Sequence, residues 1–194
     1  MNNFFFAAAA RALLAIGLAL PMTGQAQSTT QVRFQTTMGN FVVELYPAKA
    51  PKTVQNFVQY AQDKHFDGTI FHRVIDGFMV QGGGFTADMA QKPTRAPIAL
   101  EIDRSLKNER GTIAMARTGN PNSATAQFFI NLVDNANLNA PQPDGYGYAV
   151  FGKVVSGMET IDAIRSVATR NQNGFQNVPA TPITITTATV LTSP

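Results

Sequence analysis

One segment of the chain sets a permanently charged side chain and an amide among large apolar residues. Residues 71–84 have the sequence FHRVIDGFMVQGGG, in which Arg73 and Gln81 stand among phenylalanine, methionine, isoleucine and valine. A guanidinium stays protonated at any working pH and presents several fixed N–H donors. This combination suits a site for a neutral apolar ligand.

The spacing predicts which of these side chains share a face. Asp76-Gly77 predicts a turn between two strands, and successive residues of a strand point to opposite faces. Three strands then place a polar side chain beside large apolar ones: Arg73 with Phe71 and Ile75, Gln81 with Met79, and Gln127 with Phe129. His72 faces away from Arg73 in this arrangement. Strands that only build a core would not be expected to place a polar side chain beside large apolar ones three times, so this pattern indicates a binding site.

Four blocks of sequence, in a fixed order, resemble one protein family. They are FHRVI-x-GFMVQGG from Phe71, GTIAMA from Gly111, QFFI from Gln127 and VFGKV from Val150. Together they resemble the cyclophilin-type peptidyl-prolyl cis-trans isomerases, over nearly all of the chain after residue 31. The stretches at 117–121 and 144–149 are most similar to the exported, periplasmic cyclophilins of Gram-negative bacteria.

The activity that this resemblance implies needs no nucleophile, metal or cofactor. Rotation about an X-Pro bond is slow because resonance gives it a barrier of about 18–20 kcal/mol. In the twisted state the lone pair localises on the prolyl nitrogen, and a donor aimed there stabilises that state. Arg73 is our candidate for the donor. Proline-containing unfolded or partly folded polypeptides are the expected partners.

The resemblance also implies roles for the other site residues. Gln81 would hold Arg73 and the substrate in register. The pocket for the proline ring would be formed by four apolar residues: Phe78, Met79, Phe129 and Leu138. Backbone groups near Arg117, with Gln127 close by, would grip the peptide on either side. Taken singly, such apolar residues are more often core, and a lone arginine is more often a surface charge. Only the occurrence of all four sequence blocks in order favours a binding site over these ordinary interpretations.

Two positions depart from the eukaryotic members of the family. Asn137 stands where those proteins usually have a tryptophan of the drug-binding groove, and Tyr148 stands where many have histidine. An indole supplies both buried area and an N–H donor. We therefore expect weak cyclosporin binding with isomerase activity retained. Tyr148 keeps an aromatic body and a polar tip, so we expect it to remain at the substrate-binding rim.

Other catalytic chemistries find little support in the sequence. The glycines at 82–84 are not followed by the Lys-Ser or Lys-Thr of a phosphate-binding loop, and we interpret them as turn geometry. We interpret His72 as an interior histidine with its hydrogen bonds satisfied, and not as a base. With no cysteine and His65 as the only other histidine, no metal site is expected. Ser105 and Ser123 lack a histidine partner at a spacing that suits a hydrolase triad.

Residues 1–26 are predicted to be a secretory signal peptide and residues 27–194 the isomerase domain. Arg11 precedes the apolar stretch 12–20, a proline ends that stretch, and Gly24-Gln25-Ala26 offers small residues before a cleavage point. The alternative is a membrane anchor, but the apolar stretch is shorter than the roughly 20 residues that a span needs. Export predicts a periplasmic protein, with secretion outside the cell as the alternative.

The charge and cysteine content narrow the classes of partner. The net charge is +3, and removal of Arg11 leaves 14 basic against 12 acidic residues. These charges are scattered, so neither nucleic acid nor a membrane is an expected partner. The lack of cysteine excludes disulfides and thiol catalysis, and it suits an oxidising compartment. We expect a monomer.

Short runs rich in threonine, valine, isoleucine and phenylalanine, punctuated by glycine, predict a mostly antiparallel β domain. Helical spacing predicts two helices, one from Pro51 to about Asp63 and one that follows Gly157 and includes Arg165. The segment 166–182 is predicted to be a loop. A closed eight-stranded antiparallel barrel capped by two α-helices is the fold that the cyclophilin resemblance implies.

Two functions remain open on the sequence. The first is a prolyl isomerase that acts on exported proteins as they fold. The second is a proline-peptide-binding module or holdase chaperone that uses the same groove without turnover. Arg73 and Gln81 favour the first, because a pure binder needs apolar contacts alone.

Overall fold

The computed structural model describes residues 30–191, together with Met1. Apart from Met1, the predicted signal peptide lies outside the described residues. Within them the chain forms ten strands and two α-helices in the following order: β1 (Thr30–Thr36), β2 (Gly39–Leu45), α1 (Pro51–Gln62), β3 (Thr69–Ile75), β4 (Met79–Thr86), β5 (Thr112–Met115), β6 (Phe128–Asn131), β7 (Val150–Ser156), α2 (Met158–Arg165), β8 (Thr169–Gln172), β9 (Phe175–Pro179) and β10 (Ile185–Leu191). A short 3-10 helix at Ala136–Leu138 precedes β7.

Eight of these strands form one curled antiparallel sheet in the order β10-β1-β2-β7-β5-β6-β4-β3. The predicted mostly antiparallel β architecture with two helices is therefore confirmed. Consecutive strands are neighbours at β1-β2, β3-β4 and β5-β6, and β7, β5 and β6 lie between the β1-β2 and β3-β4 pairs. This order places β4, β5 and β6 side by side, and these three strands carry most of the candidate site.

The sheet is less closed than the predicted barrel. Its two edge strands, β3 and β10, do not form a ladder with each other. They meet at an isolated bridge between Ile70 and Thr184. Backbone hydrogen bonds from the Phe71 amide to the Ile183 carbonyl, at 3.0 Å, and from Gly68 to Ile185, at 2.8 Å, flank this bridge. The sheet is thus a half-barrel whose edges touch at a narrow seam.

Aromatic side chains fill the concave interior of the sheet. Seven phenylalanines are among its largest fully buried side chains: Phe34, Phe41, Phe57, Phe66, Phe71, Phe128 and Phe151. Their rings contact one another at centroid distances from 4.9 to 6.3 Å, as in the stacked pair Phe34 and Phe41. Each such ring removes about 150–250 Å² from water. The interior is a packed core, and it leaves the ligand site to the outer side of the sheet.

Both helices contribute side chains to this core, as their spacing predicts. Phe57 of α1 and Ile161 of α2 are fully buried in it. Helix α1 begins at Pro51, and no side chain of its own caps it. The carboxylate of Glu101, from a distant loop, accepts the amides of Lys52 and Thr53 at 3.1 and 2.7 Å. Within residues 30–191, neither helix is long and apolar enough to cross a membrane.

The segment 166–182 is a second, separate hairpin rather than the predicted loop. Strands β8 and β9 pair around the two-residue turn Asn173-Gly174, with Gln172 opposite Phe175. Both turn residues have positive φ, 50° and 81°, and Asn-Gly is the dipeptide that such a turn favours. Val178 of β9 packs with Ile70 in a small buried cluster on the outer side of β3. The hairpin therefore lies against the sheet beside the candidate site.

Candidate active site

A second apolar cluster lies on the side of β4, β5 and β6 that faces away from the core. Met79, Ala114 and Phe129 are buried in it, and Phe78 and Tyr148 pack against it from its edge. The neighbours in sequence point the other way, because Val80, Phe128 and Ile130 belong to the main core. This alternation confirms the predicted faces of β4 and β6. The sheet therefore separates a structural apolar layer from an accessible one.

The accessible cluster surrounds a pocket of about 100 Å³. A single water needs only about 10–15 Å³ by the same measure, so the pocket has room for a small ring. Its lining contains every predicted site residue except Gln127: Arg73, Phe78, Met79, Gln81, Arg117, Phe129, Leu138 and Tyr148, together with Ala116. The structure thus brings these residues together, while their roles stay predictions.

A chain of polar side chains forms one wall of the pocket. Nη1 of Arg73 donates to Oε1 of Gln81 at 3.4 Å, a long contact, and Nε2 of Gln81 donates to Oε1 of Gln127 at 3.0 Å. All three side chains are half-buried. No carboxylate within residues 30–191 forms an ion pair with Arg73. Most of its guanidinium N–H groups are therefore available to a ligand.

The predicted faces of β3 are right for Arg73 and Ile75 on the outer side and Val74 in the core, but wrong before Arg73, because the strand contains a bulge. Arg73 pairs with Gln81 and Phe71 with the adjacent Gly82, so β3 has one residue more than β4 between these pairs. An extra residue reverses the side-chain alternation of a strand. Phe71 therefore lies in the core, while Arg73 faces outward, and His72 faces the same outer depression instead of pointing away from Arg73.

His72 is an interior histidine, as predicted, and it is held neutral, but the prediction that its hydrogen bonds are satisfied is wrong for Nδ1. Its side chain is 3% exposed, and its Nδ1 has no hydrogen-bond partner among the described residues. Burial, and secondarily the nearby Arg73 cation, lower the pKa of His72 to about 4. A cation beside Arg73 would be desolvated as well as repelled. Arg73 is therefore the cation of this wall at neutral pH.

The prediction of turn geometry for the three glycines at 82–84 is wrong, because they lie within strand β4. Other side chains approach two of them closely. Gly83 has a φ of +83°, and a Cβ there would lie 2.9 Å from the ring of Phe128. A Cβ on Gly84 would lie 2.5 Å from Cγ of Gln127. Real Cβ atoms essentially never come so close. The absence of a side chain at residue 84 thus makes room for Gln127 beside Gln81.

Arg117 shapes the opposite wall through its own side chain. The side chain is 2% exposed and forms an ion pair with Asp144 at 2.7 Å. It also donates to the carbonyl of Gly147 from Nε and Nη2, at 3.1 and 2.8 Å. The guanidinium carbon lies 4.4 Å from the ring centroid of Tyr148, and that ring meets Phe129 edge-on at 5.6 Å. Arg117 therefore fixes the aromatic rim where sequence reasoning assigned only its backbone.

A buried asparagine network supports the floor of the pocket and was not predicted. Asn131 donates to Oδ1 of Asn108 at 3.2 Å, and Asn135 donates to Oδ1 of Asn131 at 2.8 Å. Asn135 also holds the carbonyl of Phe78 at 2.9 Å, and Asn108 holds that of Leu138 at 3.2 Å. The only signal for this network is the clustering of asparagine at 131–139.

The chain matches a protein-family model over almost the whole described range. The model of the family described as cyclophilin type peptidyl-prolyl cis-trans isomerase/CLD matches residues 31–190. The chain therefore belongs to the cyclophilin family and is an enzyme of the peptidyl-prolyl cis-trans isomerase type.

Individual relatives agree with this assignment. The chain is 55% identical to the peptidyl-prolyl cis-trans isomerase cyp18 of Streptomyces antibioticus, over 82% of this chain and 98% of that protein. It is 54% identical to peptidyl-prolyl cis-trans isomerase A of Dickeya dadantii, over 86% and 87% of the two chains. It is 50% identical to peptidyl-prolyl cis-trans isomerase B of Escherichia coli, over 82% and 98%.

Solved structures show the same fold. A cyclophilin type peptidyl-prolyl cis-trans isomerase of Cryptosporidium parvum superposes with a TM-score of 0.71 at 28% identity, covering 86% of this chain and 99% of that one. A crystal structure of that protein in the presence of the dipeptide Ala-Pro gives a TM-score of 0.70 at 27% identity, covering 84% and 99%.

Proposed function

We propose that this enzyme accelerates X-Pro rotation by donation from Arg73 to the prolyl nitrogen, with the proline ring in the 100 Å³ pocket. The observation that carries the proposal is the shared cavity. A guanidinium without a carboxylate partner in the described chain lies beside a pocket lined by Phe78, Met79 and Phe129. Proline-containing unfolded or partly folded polypeptides are the proposed substrates.

The chemistry follows from the electronic structure of the amide. The planar bond delocalises the nitrogen lone pair, and the barrier to rotation is about 18–20 kcal/mol. Twisting localises the lone pair, so a hydrogen bond from Arg73 becomes stronger in the transition state than in either planar isomer. A donor that strengthens only as charge develops raises the rate without trapping the substrate.

The remaining residues keep the donor and the ring in place. Gln81 and Gln127 limit the movement of Arg73, and the apolar walls exclude water from the twisting bond. An acceleration near 10⁶ requires about 8 kcal/mol, more than one hydrogen bond supplies. Desolvation and positioning by the pocket therefore supply the rest of the stabilisation.

The test is cis-to-trans exchange in a short X-Pro peptide, measured by NMR exchange spectroscopy with protein that begins at Gln27. We expect Arg73→Ala to lower kcat/KM by about 10²–10³, the cost of removing one preorganised donor. Arg33, an exposed arginine on β1, gives the matched control Arg33→Ala, which should keep the wild-type rate. A folded wild type without acceleration would favour the peptide-binding module or holdase.

The setting we propose is the folding of exported proteins in the periplasm. It is supported by the predicted signal peptide at residues 1–26, the absence of cysteine and the resemblance to exported cyclophilins. Cell fractionation and N-terminal sequencing of the mature protein test it. A full-length protein in the cytoplasm would contradict export, and mature protein in the culture medium would favour secretion.

Two further proposals concern binding and assembly. Asn137 is exposed beside the pocket residue Leu138, and it lacks the area and the N–H donor of an indole. Cyclosporin should therefore bind weakly, which titration calorimetry measures directly. We also expect the mature protein to sediment as a monomer, and a dimer at micromolar concentration would contradict that.

A further inference from the structure

A second depression adjoins the proline pocket and has no role in the mechanism above. It is open and has a volume of about 420 Å³. Arg73 and Gln81 line both cavities, so the two are continuous across these side chains. The tip of the β8–β9 hairpin forms its outer wall, and β3 and β4 form its floor.

A row of aromatic rings runs from the floor of this depression to its rim. The His72 ring lies 4.7 Å from the Phe85 ring, and Phe85 lies 5.1 Å from Phe175 in an edge-to-face arrangement. His72 and Phe85 are buried, whereas Phe175 is 37% exposed. Few large apolar side chains of the described residues are as exposed as Phe175. Its ring is therefore placed to cover a guest rather than to fill the core.

The charges of the depression limit what it can accept. Of the described residues that line it, only Arg73 carries a charge at neutral pH, because His72 is neutral. Gln81 and Gln127 supply neutral donors and acceptors at its edge. A large apolar side chain would gain contact with the rings, while a lysine or arginine would be repelled by Arg73 and partly desolvated.

We propose that this depression is a second peptide subsite, which binds a large apolar, preferably aromatic, side chain near the substrate proline and disfavours a basic one. The occupant follows from continuity, since a peptide whose proline fills the first pocket must pass Arg73 and Gln81. Two residues of extended chain span about 7 Å, so the guest is sought at the two positions on either side of the proline. The inference rests on the proposed use of the first pocket and adds sequence specificity to it.

The test compares binding with turnover in one peptide series. The peptides keep one proline and carry phenylalanine, glycine or lysine at each of the two positions on either side. Dissociation constants come from NMR titration, and exchange rates are measured separately on the same samples. For wild type we expect phenylalanine, on one side of the proline, to bind about five- to tenfold more tightly than glycine. Lysine there should bind more weakly than glycine.

Variants locate the effect. Phe175→Ala should reduce the phenylalanine preference to less than twofold, and Phe175→Glu should improve the binding of the lysine peptide. Val155→Ala, which truncates another exposed apolar side chain, on β7, should keep the wild-type preference. Phe175 is exposed enough that its truncation should not prevent folding.

The outcomes separate this inference from the proposed function. Equal affinity for phenylalanine, glycine and lysine peptides on both sides of proline overturns the subsite. A preference that survives Phe175→Ala also overturns it, because the guest then lies elsewhere. A preference in binding that depends on Phe175, without any acceleration of exchange, supports the subsite and counts against the proposed mechanism alone.

Discussion

At the scale of single residues, the site depends on a missing ion-pair partner and on a missing side chain. Arg73 has no carboxylate partner in the described chain, and Gln127 fits beside Gln81 only because residue 84 has no side chain. Neither property is visible in the identity of Arg73 or Gln127 alone. The small residue at position 84 and the lack of a carboxylate near Arg73 among the described residues therefore define the site as much as Arg73 does.

Gly84→Ala tests this dependence. Gly84 does not have a positive φ, so alanine fits the backbone, but its Cβ would lie 2.5 Å from Cγ of Gln127. We expect the flexible Gln127 side chain to move, with kcat/KM falling several-fold. The free energy of unfolding should change by less than about 1 kcal/mol, because no core contact is removed. Exchange kinetics and urea unfolding measure the two quantities.

Gly119→Ala is the matched control, since nothing lies within 4 Å of a Cβ at that position. It should keep wild-type kinetics and stability. If Gly84→Ala retains full activity, Gln127 does not position the polar wall and the account of this glycine is wrong.

His72 predicts a specific pH dependence of stability. Its pKa is about 4 in the folded protein, against a usual value of 6.5, because burial disfavours the charged ring. The unfolded chain therefore binds the extra proton first as the pH falls. Stability is fully present above pH 6.5 and is lost as the pH falls towards the folded pKa, by up to about 3 kcal/mol.

The measurement is urea unfolding of wild type and His72→Leu between about pH 7 and pH 4.5, a range in which an ordinary histidine becomes protonated. The variant should lose less stability than wild type over this range, although carboxylates contribute to both curves. Parallel curves would mean that folding does not lower the pKa of His72.

At the scale of elements, the sequence predicts regular strands and helices better than their interruptions. The alternation of Met79, Gln81 and Phe129 correctly separates core from site, because β4 and β6 are regular between residues 79–82 and 128–131. The bulge at His72 in β3 changes the register without any glycine or proline to mark it. Periodicity alone could not find it, since the pairing with β4 determines it.

The β8–β9 hairpin was missed for a different reason. Asn173-Gly174 is a strong turn signal, but β8 consists of polar and mostly exposed residues, so it shows no apolar alternation. What fixes this hairpin is the packing of the buried Val178 against Ile70 on the outer side of the sheet. Such tertiary contacts are not encoded in a local pattern.

The rim loop that ends at Tyr148 gives a prediction at this scale. Asp144→Asn removes the anion that pairs with the buried Arg117, but keeps the shape and an acceptor oxygen. Loss of one partner leaves an uncompensated buried cation, so we expect the melting temperature to fall by roughly 5 °C. Tyr148 should lose its fixed orientation, which should raise KM more than it lowers kcat. Calorimetry and peptide kinetics measure these effects.

Asp162→Asn is a suitable comparison, because Asp162 pairs with Arg110 at the same 2.7 Å with both side chains exposed. Exposed pairs contribute about 0–1 kcal/mol, so this variant should change the melting temperature little. Equal changes in melting temperature for the two substitutions would show that the buried Arg117–Asp144 pair stabilises the protein no more than an exposed pair does.

At the scale of the whole molecule, one sheet serves two apolar layers. The phenylalanine core lies on its concave side, and the site lies on the other side of β4, β5 and β6. The side chains that we propose to bind substrate therefore belong to a different cluster from those of the main core. Substitutions in the polar wall should alter activity at little cost in stability, whereas those at Phe128 or Ile130 should unfold the protein.

The seam between β3 and β10 is where this arrangement is weakest in backbone pairing. The β1–β2 ladder has seven registered pairs, whereas β3 and β10 share one isolated bridge and two flanking hydrogen bonds. The seam is held mainly by side chains, since Ile70 and Ile183 are buried to within 2%. Side-chain packing without a ladder permits local opening at a lower free energy than global unfolding.

Native-state hydrogen exchange followed by NMR tests this directly. The amides of Gly68 and Phe71, which donate across the seam, should exchange at least about 100-fold faster than those of the β1–β2 ladder. Their exchange should also depend only weakly on low concentrations of urea, because opening the seam exposes little surface. Equal protection at the seam and in the ladder would mean that the sheet behaves as a closed barrel. In that case the packing of Ile70 and Ile183 would join the edges as firmly as hydrogen bonds do.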